Sequence, residues 1–234
     1  MLLIKKGKEL MRIPITKYGL PQVVIYPGLC ILIMAAFTAG AVKIPALWIV
    51  VAIFGIILIW ALSFFRDPKR EISTNEKLLL SPADGTVSDI EEVDEPHFIG
   101  GKAKRIGIFL SVFNVHINRT PCKVRIESIT YRPGKFINAM NKNCGKVNES
   151  NDIAMTRLSV PNEKLLVRQI SGAIARRIVC DAERGQEFTG GAIFGMIKFG
   201  SRTELYLPAE SSAKIKVKIG DKVNAGITVL AQYE

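Results

Sequence analysis

A chain of 234 residues, 48% hydrophobic and with a formal charge of +11, is long enough for one good-sized domain and an appendage. The charge is unevenly spread: residues 18–42 and 44–65 carry none, and from Arg66 onward 26 Lys and Arg face 20 Asp and Glu without a basic stripe interleaved with aromatics, which argues against a nucleic-acid partner. Four cysteines (Cys30, Cys122, Cys144, Cys180) show no Cys-x-x-Cys spacing and stand beside only two histidines, which argues against a metal site and fits a reduced, cytosol-facing compartment.

The first apolar stretch, Tyr18 to Val42, is interrupted by Pro21 and Pro27. Its helix is expected to start at or after Pro27, which leaves it short for a full span. The second, Ile44 to Phe65, is the stronger membrane signal, with Trp48 and Trp60 near its ends as interfacial anchors. Twenty-odd helical residues reach about 30 Å, the thickness of the hydrocarbon layer. The link between them is tight (Gly40, Lys43, Pro45), so residues 1–65 read as a transmembrane or re-entrant helical hairpin. Lys5, Lys6, Lys8, Arg12 and Lys17 precede the pair, and Arg66, Lys69 and Arg70 follow it. Positive charge on both flanks places both at the cytoplasmic side of the cell membrane. A cleaved signal peptide does not fit: the stretches start late, come as a pair and lack a convincing small-x-small cleavage site before the next domain.

Residues 66–234 read as a mainly β, antiparallel, barrel- or sandwich-like domain. The strand signals are short, β-branched and separated by Gly, Pro, Asn or Asp. They fall at 85–93, 105–112, 123–131, 153–160, 164–170, 177–180, 193–198, 204–207, 214–219 and 228–232. Lys214 to Ile219 alternates cleanly, as a strand with one buried face does. Residues 134–141 suggest a short helical turn and residues 141–151 a polar loop.

Four places in this domain carry candidate chemistry. Gly200-Ser201 sets a hydroxyl beside a carbonyl that has no side chain to shield it, although most Gly-Ser pairs are ordinary turns. Asp84 stands in Ser81-Pro-Ala-Asp-Gly-Thr-Val87, where a plain Asp-Gly turn is the simpler reading. His116 and Arg119 end an apolar strand in Ser111-Val-Phe-Asn-Val-His-Ile-Asn-Arg-Thr-Pro121, and His97 competes from a polar loop. Ser171-Gly-Ala-Ile-Ala-Arg-Arg-Ile178 offers paired cations that serve either as surface charge or as anion binders. A serine hydroxyl is a poor nucleophile until a base takes its proton; histidine is the usual base, and an acid held against it fixes its tautomer. Asp84, His116 and Ser201 supply those three parts.

Phe65-Arg66-Asp67-Pro68, Ser81 to Gly85, Phe109-Leu110-Ser111, Asn114-Val115-His116-Ile117-Asn118-Arg119, Pro121, Ala175 to Val179 and Gly195-Met-Ile-Lys-Phe-Gly-Ser-Arg202 together resemble the short, bacterial and archaeal type of phosphatidylserine decarboxylase. The resemblance runs in order from about Arg66 to Glu234. It implies a proenzyme that cuts itself between Gly200 and Ser201 into a β chain, 1–200, and an α chain, 201–234. Ser201 then becomes a pyruvoyl group, the covalent cofactor. By the same resemblance His116 is the base and Asp84 its orienting partner. The ketone would form a Schiff base with phosphatidylserine in the membrane and release CO2, leaving phosphatidylethanolamine. Arg119 or Arg202 would hold the substrate carboxylate or phosphate. The two cut chains would form a heterodimer, and a homo-oligomer is left open. Gly190 to Gly195 departs from the pattern, with Ala and Ile where relatives carry polar or basic residues.

Two alternatives stand beside this reading. One keeps the chemistry and changes the lipid to an archaeal ether-linked serine phospholipid. The other is a non-enzymatic carrier: Ile219 to Gly226 is similar to the turn of biotinyl and lipoyl domains, and Lys198 would be the modified lysine. That second reading leaves Asp84, His116 and Ser201 without a role.

Overall fold

A computed structural model describes residues 3–6, 9–12, 15–141, 143–159, 161–173, 177–198 and 200–234. Lys8, Val160, Ile174, Ala175, Arg176 and Phe199, which the sequence motifs include, lie outside the described residues. The chain divides into two compact units, Met1–Lys69 and Arg70–Glu234.

The first unit holds a short antiparallel pair, β1 (Leu3–Lys6) and β2 (Glu9–Arg12), then helices α1 (Gln22–Ala41) and α2 (Leu47–Phe64). Both helices are long and apolar enough to cross a membrane, and few of their residues are buried within the protein. They suit association with a membrane. The expected start of α1 at Pro27 is wrong: the helix begins at Gln22 and passes through Pro27. The ring removes one backbone hydrogen bond, a loss that an otherwise unbroken apolar helix tolerates. The base of the hairpin is pinned by the Thr16 N–H donating to the Phe65 carbonyl at 2.9 Å.

Among its described residues the second unit has fourteen strands: β3 (Leu78–Leu80), β4 (Gly85–Glu95), β5 (Gly101–Leu110), β6 (Ile117–Arg119), β7 (Val124–Arg132), β8 (Ser150–Arg157), β9 (Lys164–Ile170), β10 (Arg177–Cys180), β11 (Glu187–Phe188), β12 (Ile193–Lys198), β13 (Ser201–Pro208), β14 (Lys214–Ile215), β15 (Lys222–Val223) and β16 (Val229–Gln232). A four-residue helix, α3 (Cys144–Val147), lies between β7 and β8. One antiparallel sheet of eight strands runs β11-β7-β8-β9-β13-β5-β4-β15, and two three-stranded sheets run β10-β12-β6 and β14-β16-β3. The sheets do not close into a barrel; the arrangement is sandwich-like.

Alternation along the central strands decides what each face holds. Ile106, Ile108 and Leu110 of β5, Ile153 and Met155 of β8, Leu165 and Val167 of β9, and Leu205 and Leu207 of β13 point inward, where Leu79, Phe194 and Leu230 of the small sheets complete the core. Two sequence expectations shift. The alternation at 214–219 shows in burial, but the ladder stops at Ile215 and only Lys216 N–H adds a bond, to the Leu230 carbonyl at 2.9 Å. The helical turn expected at 134–141 falls instead at Cys144–Val147. There the Asn138 and Asn141 side chains accept from the Met140 and Asn143 amides and turn the preceding chain without making a helix of it.

The opposite face of the large sheet is charged and yet buried. Arg168 holds Asp152 through Nε (2.6 Å) and a terminal nitrogen (2.9 Å), and donates to the Tyr206 hydroxyl. Tyr206 donates to Glu204, which accepts from Arg202 Nε at 2.8 Å. Arg202 reaches Asp89 at 2.7 Å, and Asp89 also accepts from Arg105 at 3.0 Å. Burial alone would raise the carboxyls of Asp89 and Asp152. The adjoining guanidiniums, Arg202 for Asp89 and Arg168 with Arg132 for Asp152, outweigh it and hold both below their ordinary value.

A carboxylate depressed in this way contributes stability above its unfolded value, 3.8, and the contribution is lost as pH falls through the lower folded value. The urea midpoint of the Ser201→Ala protein is therefore expected to fall steeply below about pH 4. Arg202→Met, which takes from Asp89 and Glu204 the buried cation they share, is expected to cost about 3–5 kcal/mol in the same measurement near neutrality.

Candidate active site

Toward the end of the core where β13 begins, apolar inward positions give way to polar ones. Asn151 of β8, Gln169 of β9, and Ser201 and Thr203 of β13 share the inner face, and all four are buried. Short strand β6 lies over them. Asn118 Nδ2 donates to Thr203 Oγ1 at 3.1 Å, Gln169 Nε2 donates to Asn118 Oδ1 at 2.9 Å, and Asn151 Nδ2 donates to Gln169 Oε1 at 3.2 Å. This chain of buried amides fixes β6 against β13, and with it His116, the residue just before β6.

His116 is fully buried. Its Nδ1 lies 3.0 Å from the Asn114 carbonyl, a pure acceptor, so the ring proton belongs on Nδ1. Nε2 is then an acceptor, and the Gly200 N–H donates to it at 3.2 Å. The structure thus brings His116 to the Gly200-Ser201 bond. Gly200 has φ +58°, a left-handed conformation that favours glycine. On the far side, any Cβ at Gly172 would collide with the Gly200 carbonyl oxygen, so only glycine lets the two backbones meet. Ser201 Oγ is buried and has no hydrogen-bond partner among the described residues. A buried hydroxyl left so costs about 1–3 kcal/mol, which marks it as a group held for another purpose.

The other sequence candidates take separate places. Asp84 accepts from Arg70 at 2.8 and 3.0 Å and from the Ala225 N–H at 2.8 Å. Its turn braces β6 through the Arg119 N–H, which donates to the Pro82 carbonyl at 3.0 Å. Arg119 donates to the Gly191 carbonyl at 3.0 Å, beside a cavity of about 440 Å³ lined in part by Ile72, Pro121, Thr189 and Gly191. Arg202 points to the opposite face of the sheet from Ser201, with Nε on Glu204, one terminal nitrogen on Ser88 and the other on Asp89. His97 sits at the far end of β4, its amide donating to Glu95.

Sequence reasoning missed Asn114, whose carbonyl sets the histidine tautomer, and Gly172, whose lack of a side chain admits the Gly200 carbonyl. Both stand inside motifs singled out above, yet each acts through its backbone, which composition does not reveal. Lys198, the lysine of the carrier reading, is 5% exposed, and burial, helped by Arg177, lowers its pKa. A lysine so enclosed is poorly placed for attachment of a swinging group.

The family model described as phosphatidylserine decarboxylase matches residues 57–231. A phosphatidylserine decarboxylase proenzyme of Rhodopirellula baltica is 40% identical over 224 residues, covering 95% of this chain and 89% of the relative. Proenzymes of the same name from Desulfotalea psychrophila (38% over 221 residues, 94% and 97% covered) and Carboxydothermus hydrogenoformans (42% over 187 residues, 80% and 85% covered) are also similar.

Gly172→Ala is expected to push the Gly200 carbonyl aside and cost about 1–3 kcal/mol by overpacking, read as a lowered urea midpoint in the Ser201→Ala background.

Proposed function

The chain belongs to the phosphatidylserine decarboxylase family, and from that premise we propose that it is a proenzyme that cuts itself between Gly200 and Ser201 and then converts phosphatidylserine to phosphatidylethanolamine and CO2. The observation that carries the reading is the buried Ser201 hydroxyl, without a hydrogen-bond partner among the described residues, next to Gly200, whose amide donates to the acceptor Nε2 of His116.

His116 Nε2 takes the Ser201 Oγ proton while Nδ1–H stays on the Asn114 carbonyl. The oxygen adds to the Gly200 carbonyl carbon, the bond to the Ser201 nitrogen breaks, and the proton passes to that nitrogen, leaving an ester. Loss of the Ser201 α-proton expels the Gly200 carboxylate and leaves dehydroalanine. Water hydrolyses its imine tautomer to pyruvoyl and ammonia. The positive φ at Gly200 and the bare backbone of Gly172 serve the first step, because they leave the carbonyl approachable and hold it in place.

Ser201 is the residue that would carry the pyruvoyl group, whose carbonyl supplies the electron sink for the pair left when CO2 departs. The burial of Ser201 beside His116 suits that use: Nε2, once protonated, would return its proton to the α-carbon of the lipid serine. Asp84 is a positioning residue in this reading, tying Arg70 and Ala225 to the turn that braces β6. Arg202 spends each guanidinium nitrogen within the charged layer, on Glu204, Ser88 and Asp89, so it is not the cation for the substrate anion. The basic flanks of the helical hairpin favour the cytoplasmic side of the membrane.

Intact mass spectrometry of the purified protein is expected to show two chains, the smaller of 34 residues with a blocked pyruvoyl at position 201. Ser201→Ala is expected to stay whole and release no CO2. His116→Ala is expected to fold and to cut itself roughly 100-fold more slowly or worse. A single uncut chain in active protein would rule the mechanism out.

A further inference from the structure

Two segments flank Gly200, and both carry exposed apolar side chains. The first is the turn after β5. It is closed by the Asn114 N–H on the Ser111 carbonyl and the Ser111 N–H on Asn114 Oδ1, both at 2.9 Å. Leu110, just before it, pairs with Ser201, and Val112 Cγ1 lies 3.6 Å from where a Gly200 side chain would begin. At its tip Phe113 is 71% exposed. The second is the loop between β7 and β8. Its buried Ala139 lies 3.3 Å from the position of a Gly172 side chain, the position that also meets the Gly200 carbonyl. From this loop Met140 is 68% and Phe136 40% exposed. The loop is braced from behind: Asn148 accepts from the Ile137 N–H at 2.9 Å and donates to the Ile137 and Ser171 carbonyls at 2.8 and 2.7 Å. Its apolar tips are therefore presented by a fixed frame. Residues 133–148 contain three lysines and no acid, and Lys135 and Lys146 are exposed.

We infer that this turn and loop form a lipid-docking rim, with Phe113, Phe136 and Met140 entering the bilayer interface and Lys135 and Lys146 meeting anionic headgroups, so that the Gly200-Ser201 bond opens onto a phospholipid surface. The inference rests on reading the site as one that acts on a phospholipid. Apolar tips flanked by cations are the composition of an interfacial segment. A symmetric contact between two copies would instead set lysine against lysine. A membrane hairpin holds the chain near a bilayer, whereas a rim of this kind would bring the buried reaction centre to the lipid headgroup.

The full chain with Met140→Cys, carrying an environment-sensitive fluorophore verified by mass spectrometry to sit at position 140, is reconstituted into phosphatidylcholine vesicles containing phosphatidylglycerol. The emission is expected to shift to the blue and to be quenched about twofold or more by lipids spin-labelled near the headgroup. The same label at Asp94→Cys, on β4 opposite Lys102 and roughly 27 Å along the strand from Leu110, is expected to stay water-like. Water-like, unquenched emission at position 140 would overturn the proposal. So would a disulfide between two copies of the unlabelled Met140→Cys chain, formed in place of quenching in the labelled one. In a second arm, Phe113→Ser with Met140→Ser is expected to lower turnover of bilayer phosphatidylserine about fivefold or more, while self-cleavage and turnover of a short-chain, soluble phosphatidylserine stay within about twofold. Equal loss on both substrates would assign the two residues to the fold and overturn the docking role. If the unaltered protein turned over neither lipid, the decarboxylase reading would fail, and this proposal with it; failure at position 140 with turnover intact overturns the docking rim alone.

Discussion

The structure depends on the period of two along β13. This strand lies inside the eight-stranded sheet, hydrogen-bonded to β9 on one side and β5 on the other, so its register is fixed from both edges. Fixing the register decides which side chains go inward. Ser201 and Thr203 face the small sheet that carries β6, and Arg202 and Glu204 face the charged outer layer. A slip of one residue would put a guanidinium beside His116 and the hydroxyl among the carboxylates. The outer layer resists that slip, because Arg202 and Glu204 are neutralised only by Asp89, Arg105 and the Tyr206–Arg168 pair at this register.

Within this frame two backbone groups orient the histidine ring. The Asn114 carbonyl accepts from Nδ1 and leaves Nε2 as the acceptor that faces Gly200. A carbonyl fixes a tautomer as firmly as a carboxylate, but adds no full charge to stabilise an imidazolium. The acid that the sequence suggested, Asp84, stands in the other turn, before β4. It fastens Arg70 and the Ala225 amide to the turn under β6. Chemistry and support are thus divided between two turns, one on each side of β6.

Much of this was legible in the residues. The long β-branched runs of β4, β5, β7, β8, β9 and β12 appear as strands near the expected places, because each carries its own alternation or apolar run. The short strands β3, β6, β11 and β15 were not legible as strands, since two or three residues carry no period and become strands only when distant partners bond to them. The side assigned to Arg202 was recoverable from parity alone: neighbours on a strand face opposite ways, so a cation adjacent to Ser201 could not share its pocket. The partners of Asp84 were not recoverable, because Ala225 lies 141 residues along the chain. Pro27 misleads for a different reason, as a rule for helices in water does not carry over to an apolar one.

The strands that follow Gly200 have a consequence for how two pieces would stay together. Residues 201–234 supply β13 to the middle of the large sheet, β15 to its edge, and β14 and β16 to a separate small sheet. A cut before Ser201 would therefore create a second polypeptide without creating a detachable subunit. The short piece is woven through two sheets, and its inward side chains belong to a core shared with the long one. Such a pair has no dissociation equilibrium separate from unfolding, and its concentration could be diluted without limit while its stoichiometry stayed one to one.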